Sequence, residues 1–409
     1  MKLITYSDKV NKKIKVIPSK SIIIRVLAAI FLSEKRSRVL NRTYCDDELS
    51  AIKLLRDLGT DLKTENIIQF NAFGETYSKK IDFGESGFLT RTFSLILSSF
   101  HSDFLLTGQK TLKNRRFEDL IKTLKKLEVD VKSSNCKLPF EIKGPLKKKN
   151  ISLDCSKTSQ ILSGLLMLFA KLKKNSYIEA KNPVSKPYID LTIDVLKDFG
   201  VEIENDKYNR FYVKGSQDFE KIDYFIEGDW SAASFWAVLA ALKGKIVMKN
   251  LNIDSKQGDK IILDILKEAG ADVSVREDKV AVEKNSLNSF DFDATDYPDL
   301  IPALTVLGLN CEGKSKISGI NRLINKESNR LRSILEEFKK LGAGLEVDGD
   351  TLIVKKSRLH SGIVKSHNDH RIAMALAVAA KNINGGIKLQ DWMSVNKSYP
   401  GFFAELESL

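Results

Sequence analysis

The segment Lys326-Glu-Ser-Asn-Arg330 places one carboxylate between two cations over a short stretch of chain. On a helix, Lys326 and Arg330 would lie on the same face, because residues four apart are neighbours there. Nearby cations change the acidity of a carboxyl group, so Glu327 could hold or deliver a proton. A salt-bridged surface helix would show the same pattern, and composition alone leaves both interpretations open.

Two further segments place charge at the start of an apolar stretch. Asn368-Asp-His-Arg371 runs directly into an apolar helix-like sequence, so a histidine and an arginine fall in the first helical turn. Positive charge opposes the helix dipole there, which favours a bound anion over capping alone. Asp299 follows Pro298 and precedes the apolar residues 300–309, where it could cap a helix or accept a proton from a hydroxyl group.

Lysines near both ends of the chain also suit anions. Lys20 stands at the expected mouth of a helix, with Ser21 and Arg25 four residues apart on one face, an arrangement suited to phosphate or carboxylate. Lys397 precedes Pro400, which we expect to start a helix. Each of these patterns is weak alone, since similar lysines and arginines occur on ordinary protein surfaces.

A repeated element positions these groups. An amphipathic segment that ends in glycine and continues as a short alternating strand recurs five times, at 52–59, 121–128, 193–200, 263–270 and 335–342. The last residues of successive copies lie 69, 72, 70 and 72 positions apart. A terminal glycine lets the chain leave a helix through a left-handed residue, and only Glu128 departs from this rule.

Each repeat also contains a nearly apolar, and therefore buried, helix that follows a short polar cluster. The clusters are at 18–21, 84–87, 156–160, 228–231, 297–299 and 367–371. They could be N-caps worth about 1 kcal/mol each. Because helix N-termini bind anions, we also expect six such units, three per domain, to surround one cleft. A chain of 409 residues that is 43% hydrophobic is expected to divide into two domains.

Composition narrows the class of protein. The N-terminus is polar, and apolar stretches such as 232–242 are shorter than the roughly 20 residues of a membrane span, so we expect no secretion signal or membrane association. Cys45, Cys136, Cys155 and Cys311 are far apart, which predicts neither a zinc site nor disulfides and favours the cytoplasm. The net charge of +13 fits phosphate-bearing small molecules or nucleic acid.

Taken in order, the motifs from Ile14 to Phe403 resemble the 5-enolpyruvylshikimate-3-phosphate synthase family of enolpyruvyl transferases. The resemblance is carried by 185–190, 326–330 and 368–374, and by the loop 84–87 followed by Arg91. It implies an α/β fold of two similar domains, each of three repeated helix-and-strand units, of the inside-out barrel type. The implied active site lies in the interdomain cleft and is completed by domain closure. We expect crossings near Pro18 and Gly228, giving one domain of 1–18 plus 228–409 and another of 19–227.

The resemblance also assigns roles to residues. The implied shikimate 3-phosphate contacts are Lys20, Ser21, Arg25, Thr158, Ser159, Gln160, Ser185, Tyr188, Asp299 and Lys326. The implied phosphoenolpyruvate contacts are Lys20, Gly87, Arg115, Gln160, Arg330, Arg371 and Lys397. Asp299 would accept the proton of the 5-hydroxyl group, Glu327 would protonate the methylene carbon, and Lys20 would offset charge on the phosphate. The implied reaction needs no metal or organic cofactor, and a monomer without nucleic-acid or membrane partners is expected.

Several positions depart from the family pattern. Thr158 replaces the usual serine, Ile22–Ile24 replace a more polar run, and Phe88 stands where a small polar residue is frequent. Arg115 is preferred to the adjacent Arg116 because of its distance from Leu120. The changes at Ile24 and Phe88 leave open a protein that keeps the fold without the activity.

Two other functions remain as alternatives. The sister enolpyruvyl transferase that acts on UDP-N-acetylglucosamine typically carries a cysteine in a mobile loop, and the corresponding residues 108–115 contain none. A basic nucleic-acid-binding protein of repeated α/β modules would show exposed aromatic residues on strands and a contiguous basic stripe. The selected lysines and arginines instead fall at helix mouths throughout the chain.

Overall fold

The structure, a computed structural model, describes residues 1–74, 77–276 and 279–409. The chain forms two compact units. The first consists of Met1–Ser19 and Glu227–Leu409, and the second of Lys20–Ile226. Within the first unit, Pro18 and Gly228, near which we predicted the crossings, pair in an isolated antiparallel bridge.

The helices alternate between buried and amphipathic types along most of the chain. They are α1 (Lys20–Ser33), α2 (Asp46–Asp57), α3 (Gly87–Leu97), α4 (Glu118–Lys126), α5 (Gln160–Lys171), α6 (Lys186–Asp198), α7 (Trp230–Lys243), α8 (Ile262–Glu268), α9 (Ile301–Gly308), α10 (Arg330–Lys339), α11 (His370–Ala380) and α12 (Phe402–Glu407). None of them, in the part of the chain that the structure describes, is long and apolar enough to cross a bilayer.

The strands are short. They are β1 (Lys2–Ile4), β2 (Val10–Lys15), β3 (Arg38–Leu40), β4 (Thr60–Thr64), β5 (Ile68–Phe73), β6 (Lys80–Asp82), β7 (Asp103–Thr107), β8 (Asp130–Ser134), β9 (Lys137–Lys143), β10 (Ile151–Asp154), β11 (Ser176–Lys181), β12 (Ile203–Asp206), β13 (Arg210–Val213), β14 (Asp223–Phe225), β15 (Gly244–Lys249), β16 (Asp272–Arg276), β17 (Lys279–Glu283), β18 (Asp291–Asp293), β19 (Lys314–Ser318), β20 (Gly344–Asp348), β21 (Thr351–Lys355), β22 (Gly362–Lys365) and β23 (Ile387–Gln390).

Among the described residues, these strands form six small sheets, three in each unit. The second unit has the sheets β14-β3-β5-β4, β6-β7-β9-β8 and β10-β11-β13-β12. The first unit has β16-β17-β15-β2, β18-β19-β21-β20 and the three-stranded β1-β23-β22. Every four-stranded sheet joins one parallel pair to a strand that is antiparallel to both its neighbours. The predicted α/β fold with three repeated units per domain is therefore confirmed.

One repeat runs through a strand, a buried helix, a second strand, an amphipathic helix and a hairpin, as in β6-α3-β7-α4-β8-β9. The amphipathic helices α2, α4, α6, α8 and α10 end at the predicted copies. The terminal glycines have φ between 76° and 99°. Glu128 has φ 60°, so it adopts the same left-handed conformation without being a glycine. This conformation redirects the chain into the following hairpin.

The buried helices form the two cores. The core of the second unit contains α1, α3 and α5, and that of the first contains α7, α9 and α11. Ile22, Ile23 and Ile24, which depart from the family pattern, are buried in the core of the second unit. All six polar clusters precede or open a buried helix, as the sequence predicted. The six polar clusters therefore lie at the N-terminal ends of the buried helices.

Candidate active site

A cluster of ion pairs in the first unit is centred on Arg330, the first residue of α10. Its side chain is only 1% exposed. Its guanidinium donates two hydrogen bonds to the Asp369 carboxylate, from Nε at 2.9 Å and from Nη2 at 3.3 Å. It also donates to Asp299 Oδ1 at 2.8 Å and to Glu327 Oε2 at 2.6 Å. Burial disfavours the charged form, but the three carboxylates outweigh it and raise the pKa of Arg330 above its ordinary value.

Asp299 is surrounded by cations. Besides Arg330, Lys326 Nζ lies 3.2 Å from its Oδ1 and Arg371 Nη2 lies 3.2 Å from its Oδ2. Burial raises the pKa of Asp299, but Arg371, Lys326 and Arg330 together hold it well below the usual range. The helix that follows begins at Ile301 with Leu300 at its cap position, so the alternative of Asp299 as that helix cap is wrong.

Glu327 lies between Arg330 and Lys397, whose Nζ is 3.8 Å from Glu327 Oε1. The predicted helical stacking of Lys326 on Arg330 is wrong, because the helix begins only at Arg330. Asn329 caps it by accepting a hydrogen bond from the Arg332 backbone at 3.1 Å. The preceding residues therefore form a loop, and Lys326 reaches Arg330 only through the shared carboxylate of Asp299.

The remaining first-unit residues come from two other segments. Arg371 lies in the first turn of α11, as predicted, and Asp369 caps this helix by accepting from the Arg371 backbone at 2.9 Å. Lys397 ends a 3₁₀ turn, Trp392–Lys397, and is 5% exposed. The helix predicted to start at Pro400 begins two residues later at Phe402, after Gly401 in a left-handed conformation.

Two carboxylates of this region were not among the predicted site residues. Asp369 lies within the motif 368–371, but residue spacing does not predict its two hydrogen bonds with Arg330. Asp259 lies in a 3₁₀ turn, where it accepts from Ser231 Oγ, and no donor among the described residues reaches its Oδ1. Burial, opposed by Arg371 and reinforced by Asp299, raises the pKa of Asp259 to about 6. No charge pattern in the sequence marks this residue.

In the second unit, Arg25 is a buried cation in α1. Its Nε donates to Thr192 Oγ1 at 2.8 Å and its Nη1 to the Ser21 carbonyl at 2.8 Å. Burial lowers the pKa of Arg25 to about 10, against a raising effect of Tyr188. The Phe88 ring, which departs from the family pattern, lies 4.4 Å from the guanidinium carbon, within the range of a cation–π contact.

The N-terminal ends of α3 and α5 are connected by a hydrogen bond between polar side chains. Arg91 Nη1 donates to Gln160 Oε1 at 3.0 Å. A Cβ atom at Gly87 would lie 2.7 Å from Arg115 Nη1, so any other residue here would require the Arg115 side chain to move. Arg115 is half-buried there, whereas Arg116 is exposed and pairs with Glu118 at 2.8 Å. The choice of Arg115 over Arg116 as a ligand contact stays a prediction.

The other second-unit residues lie at helix starts. Lys20 and Ser21 open α1, and Lys20 Nζ is 3.2 Å from Asp47 Oδ2. Thr158 Oγ1 accepts from the Gln160 backbone at 3.2 Å. Ser159 and Ser185 occupy the cap positions of α5 and α6, and Tyr188 lies in the first turn of α6. These residues of the second unit therefore lie at helix N-termini, where anions bind.

One group of described residues has metal-ligand chemistry. Ligand atoms of Glu336, Glu337 and His367 lie within 4.8 Å of one another. The Glu337 carboxylate, however, is held by Lys340 Nζ at 2.8 and 2.9 Å. An ammonium group already occupies the position of a cation beside this carboxylate.

The overall fold matches that of solved enolpyruvyl transferases. The chain superimposes on the EPSP synthase of Acinetobacter baumannii with a TM-score of 0.83 over 99% of this chain and 97% of that one, at 23% identity. The enolpyruvyl transferase NikO of Streptomyces tendae gives a TM-score of 0.79 at 17% identity, over 99% and 96% of the two chains. The fold is that of the enolpyruvyl transferase class.

Sequence comparisons define the family within this class. Residues 4–406 match the family model of EPSP synthase (3-phosphoshikimate 1-carboxyvinyltransferase). The chain is 35% identical over 407 residues to the 3-phosphoshikimate 1-carboxyvinyltransferase of Thermococcus kodakarensis, covering 98% of each chain. It is 36% identical over 405 residues to that of Clostridium acetobutylicum, covering 97% and 94%. The chain belongs to the EPSP synthase family.

Proposed function

We propose that this protein transfers the enolpyruvyl group of phosphoenolpyruvate to the 5-hydroxyl group of shikimate 3-phosphate and releases inorganic phosphate. Family membership over nearly the whole chain supports this reaction. The structural observation that carries it is the pair of carboxylates, Asp299 and Glu327, bonded to the same guanidinium of Arg330. Such a pair can supply a base and an acid within one cationic cluster.

The reaction proceeds by addition and elimination. Asp299 accepts the proton of the 5-hydroxyl group while the oxygen of that hydroxyl group bonds to the central carbon of phosphoenolpyruvate. Glu327 gives a proton to the methylene carbon, which becomes a methyl group, and a tetrahedral intermediate results. The bond from the central carbon to the phosphate oxygen then breaks, phosphate leaves with the electron pair, and a methyl proton is lost. The double bond re-forms in the product.

The charges of the first unit suit this sequence of steps. Without substrate, Asp299 shares three cations, which keep its pKa low and make it a weak base. The carboxylate and phosphate of phosphoenolpyruvate would draw Arg330 and Arg371 toward themselves, because arginine forks bind such anions well. Loss of cationic neighbours raises the pKa of a carboxylate. Substrate binding therefore strengthens Asp299 as a base.

The proposed binding roles are those that the family resemblance implies. The proposed contacts of shikimate 3-phosphate are Lys20, Ser21, Arg25, Thr158, Ser159, Gln160, Ser185, Tyr188, Asp299 and Lys326. Phosphoenolpyruvate is held by Arg330, Arg371 and Lys397, and by Lys20, Gly87, Arg115 and Gln160. Lys20 also offsets charge on the phosphate during the reaction. Neither a metal nor an organic cofactor takes part in these steps.

The protein is proposed to act as a monomer in the cytoplasm, with small molecules as its partners and without nucleic acid or membrane. The domain boundaries are proposed near Pro18 and Gly228. The UDP-N-acetylglucosamine transferase and the nucleic-acid-binding protein are not favoured, because the curated relatives are named 3-phosphoshikimate 1-carboxyvinyltransferase.

Phosphate release tests the proposal directly. Purified protein is mixed with phosphoenolpyruvate and either shikimate 3-phosphate or UDP-N-acetylglucosamine. Release with shikimate 3-phosphate alone is the expected result. Release only with the nucleotide sugar would move the chain to the sister reaction. Release with neither acceptor would contradict the proposed activity.

A further inference from the structure

A buried carboxylate lies behind the ion-pair cluster and takes no part in the steps above. Glu337 is on the same face of α10 as Arg330, seven residues or about 10 Å further along the helix. Its side chain is 1% exposed. A buried carboxylate is costly unless its oxygens are well satisfied, so its partners indicate what it does.

Three groups satisfy Glu337, and two of them belong to the segment 365–371. The Lys365 backbone donates to Oε2 at 3.0 Å, and His367 Nε2 lies 2.7 Å from Oε1. The third partner is Lys340 on the same helix. The segment 365–371 contains a turn before α11. This turn is bound to α10 through one backbone group and one imidazole ring.

The turn held by Glu337 is strained. His367 and Asn368 are consecutive non-glycine residues with φ of 55° and 57°. Such conformations cost free energy and persist where the surroundings fix them from several sides. Ser366 Oγ also donates to the Asp391 carbonyl at 2.9 Å. The turn is therefore held in place by contacts with Asp391 as well as with Glu337.

The turn leads directly to two residues of the candidate active site. Asp369 comes two residues after His367 and forms the fork on Arg330, and its Oδ1 also accepts from the Arg371 backbone. The helix α10 is consequently tied to the segment 365–371 at two points, through Arg330 at its start and Glu337 near its end.

We propose that Glu337 and His367 form a latch that positions Asp369, Arg330 and Arg371 for phosphoenolpyruvate. Glu337 is a positioning residue, because it contacts the turn and none of the reacting groups. The inference concerning phosphoenolpyruvate rests on the proposed function. The latch contact itself can be measured without turnover.

Hydrogen–deuterium exchange tests the contact. In Glu337→Gln and in His367→Ala, backbone amides of 365–371 should exchange at least several-fold faster, while the rest of the first unit stays protected. Because His367 is 29% exposed, its replacement leaves the core intact. Glu346→Gln serves as the matched control, since this exposed glutamate pairs with Lys355 in a hairpin. Unchanged exchange in the two latch variants would overturn the latch.

Steady-state kinetics tests the positioning. Each latch variant should raise the KM for phosphoenolpyruvate about tenfold and leave the KM for shikimate 3-phosphate unchanged. The control variant Glu346→Gln should have the same KM values as the unsubstituted chain. The double variant should have the same KM for phosphoenolpyruvate as Glu337→Gln alone, because Glu337→Gln already disrupts the contact with His367. A lowered melting temperature with unchanged KM values would show a purely structural role and overturn the proposal. Absence of turnover in the unsubstituted chain would instead contradict the proposed function, and the exchange measurement would still decide the latch.

Discussion

At the scale of single residues, the candidate site is a balance of buried charges. Arg330 contacts three carboxylates, and Asp299 contacts three cations. Removing one charge from such a network leaves its partners poorly compensated, so binding and chemistry both change. The assigned acid and base can nevertheless be separated from their neighbours by isosteric substitution.

Glu327→Gln and Asp299→Asn should each reduce turnover by about 10²–10⁴-fold, because each removes one proton-transfer group while keeping the shape of the side chain. Phosphate release under saturating substrates measures the effect, and calorimetric binding of shikimate 3-phosphate provides the control. If Glu327→Gln retained full turnover, the acid assignment would be wrong. Full turnover of Asp299→Asn would remove the base from the mechanism.

Asp259 predicts a pH dependence of stability. Its pKa is raised to about 6 by burial, so its folded state holds a proton at a pH where the unfolded chain has lost it. This group favours folding below the unfolded pKa, and the benefit is lost as pH rises through about 6. The free energy of unfolding of Asp259→Asn should exceed that of the unsubstituted chain by about 2 kcal/mol more at about pH 8 than at about pH 4.5.

Denaturant unfolding of both proteins at the two pH values measures this difference. A stability difference that stays constant with pH would show that Asp259 has an ordinary pKa in the folded chain.

Individual roles were only partly predictable at this scale. The motif 326–330 indicated an acid among cations, and the structure places Glu327 between Arg330 and Lys397. The motif did not predict that Lys326 lies in a loop. Asn329 caps the helix, so the helix begins only after it. Asp259 and Glu337 escaped notice because their effect depends on burial, which spacing does not report.

At the scale of elements, helix periodicity was the most informative signal. The apolar stretches predicted the six buried helices, and the recurring glycines predicted where the amphipathic helices end. Glu128 shows why the sequence pattern can break while the structure does not. Its backbone still turns left-handed, because the hairpin that follows needs this exit from α4.

Glu128→Gly should stabilise the protein by about 1 kcal/mol, because glycine adopts a positive φ without the steric cost of a Cβ atom. Thermal or denaturant unfolding provides the measurement. Glu128→Ala is the matched control, since it also loses the surface ion pair with Lys148 but keeps the Cβ atom. Equal stability of the glycine and alanine variants would show that the left-handed conformation carries no strain.

At the scale of the whole molecule, the chain builds two separate cores from similar repeats. The core of the second unit uses residues between Ile22 and Ile226, and that of the first uses Ile4–Val16 side chains with those after Trp230. Sequence length and the repeat period predicted two domains of three units. The strand order could not be predicted, because short strands of similar pattern allow many pairings. The resemblance to a family, and not periodicity, supplied the inside-out barrel type.

Protonation of the methylene carbon, the step proposed for Glu327, distinguishes addition and elimination from other routes to the enolpyruvyl ether. The most direct measurement is the reaction in deuterium oxide, followed by nuclear magnetic resonance of the product. We predict a product with an enolpyruvyl ether whose methylene group carries deuterium, because carbon takes up one solvent deuteron before a methyl proton is lost. Product without deuterium would contradict the carbon-protonation step, and absence of the ether would contradict the proposed function.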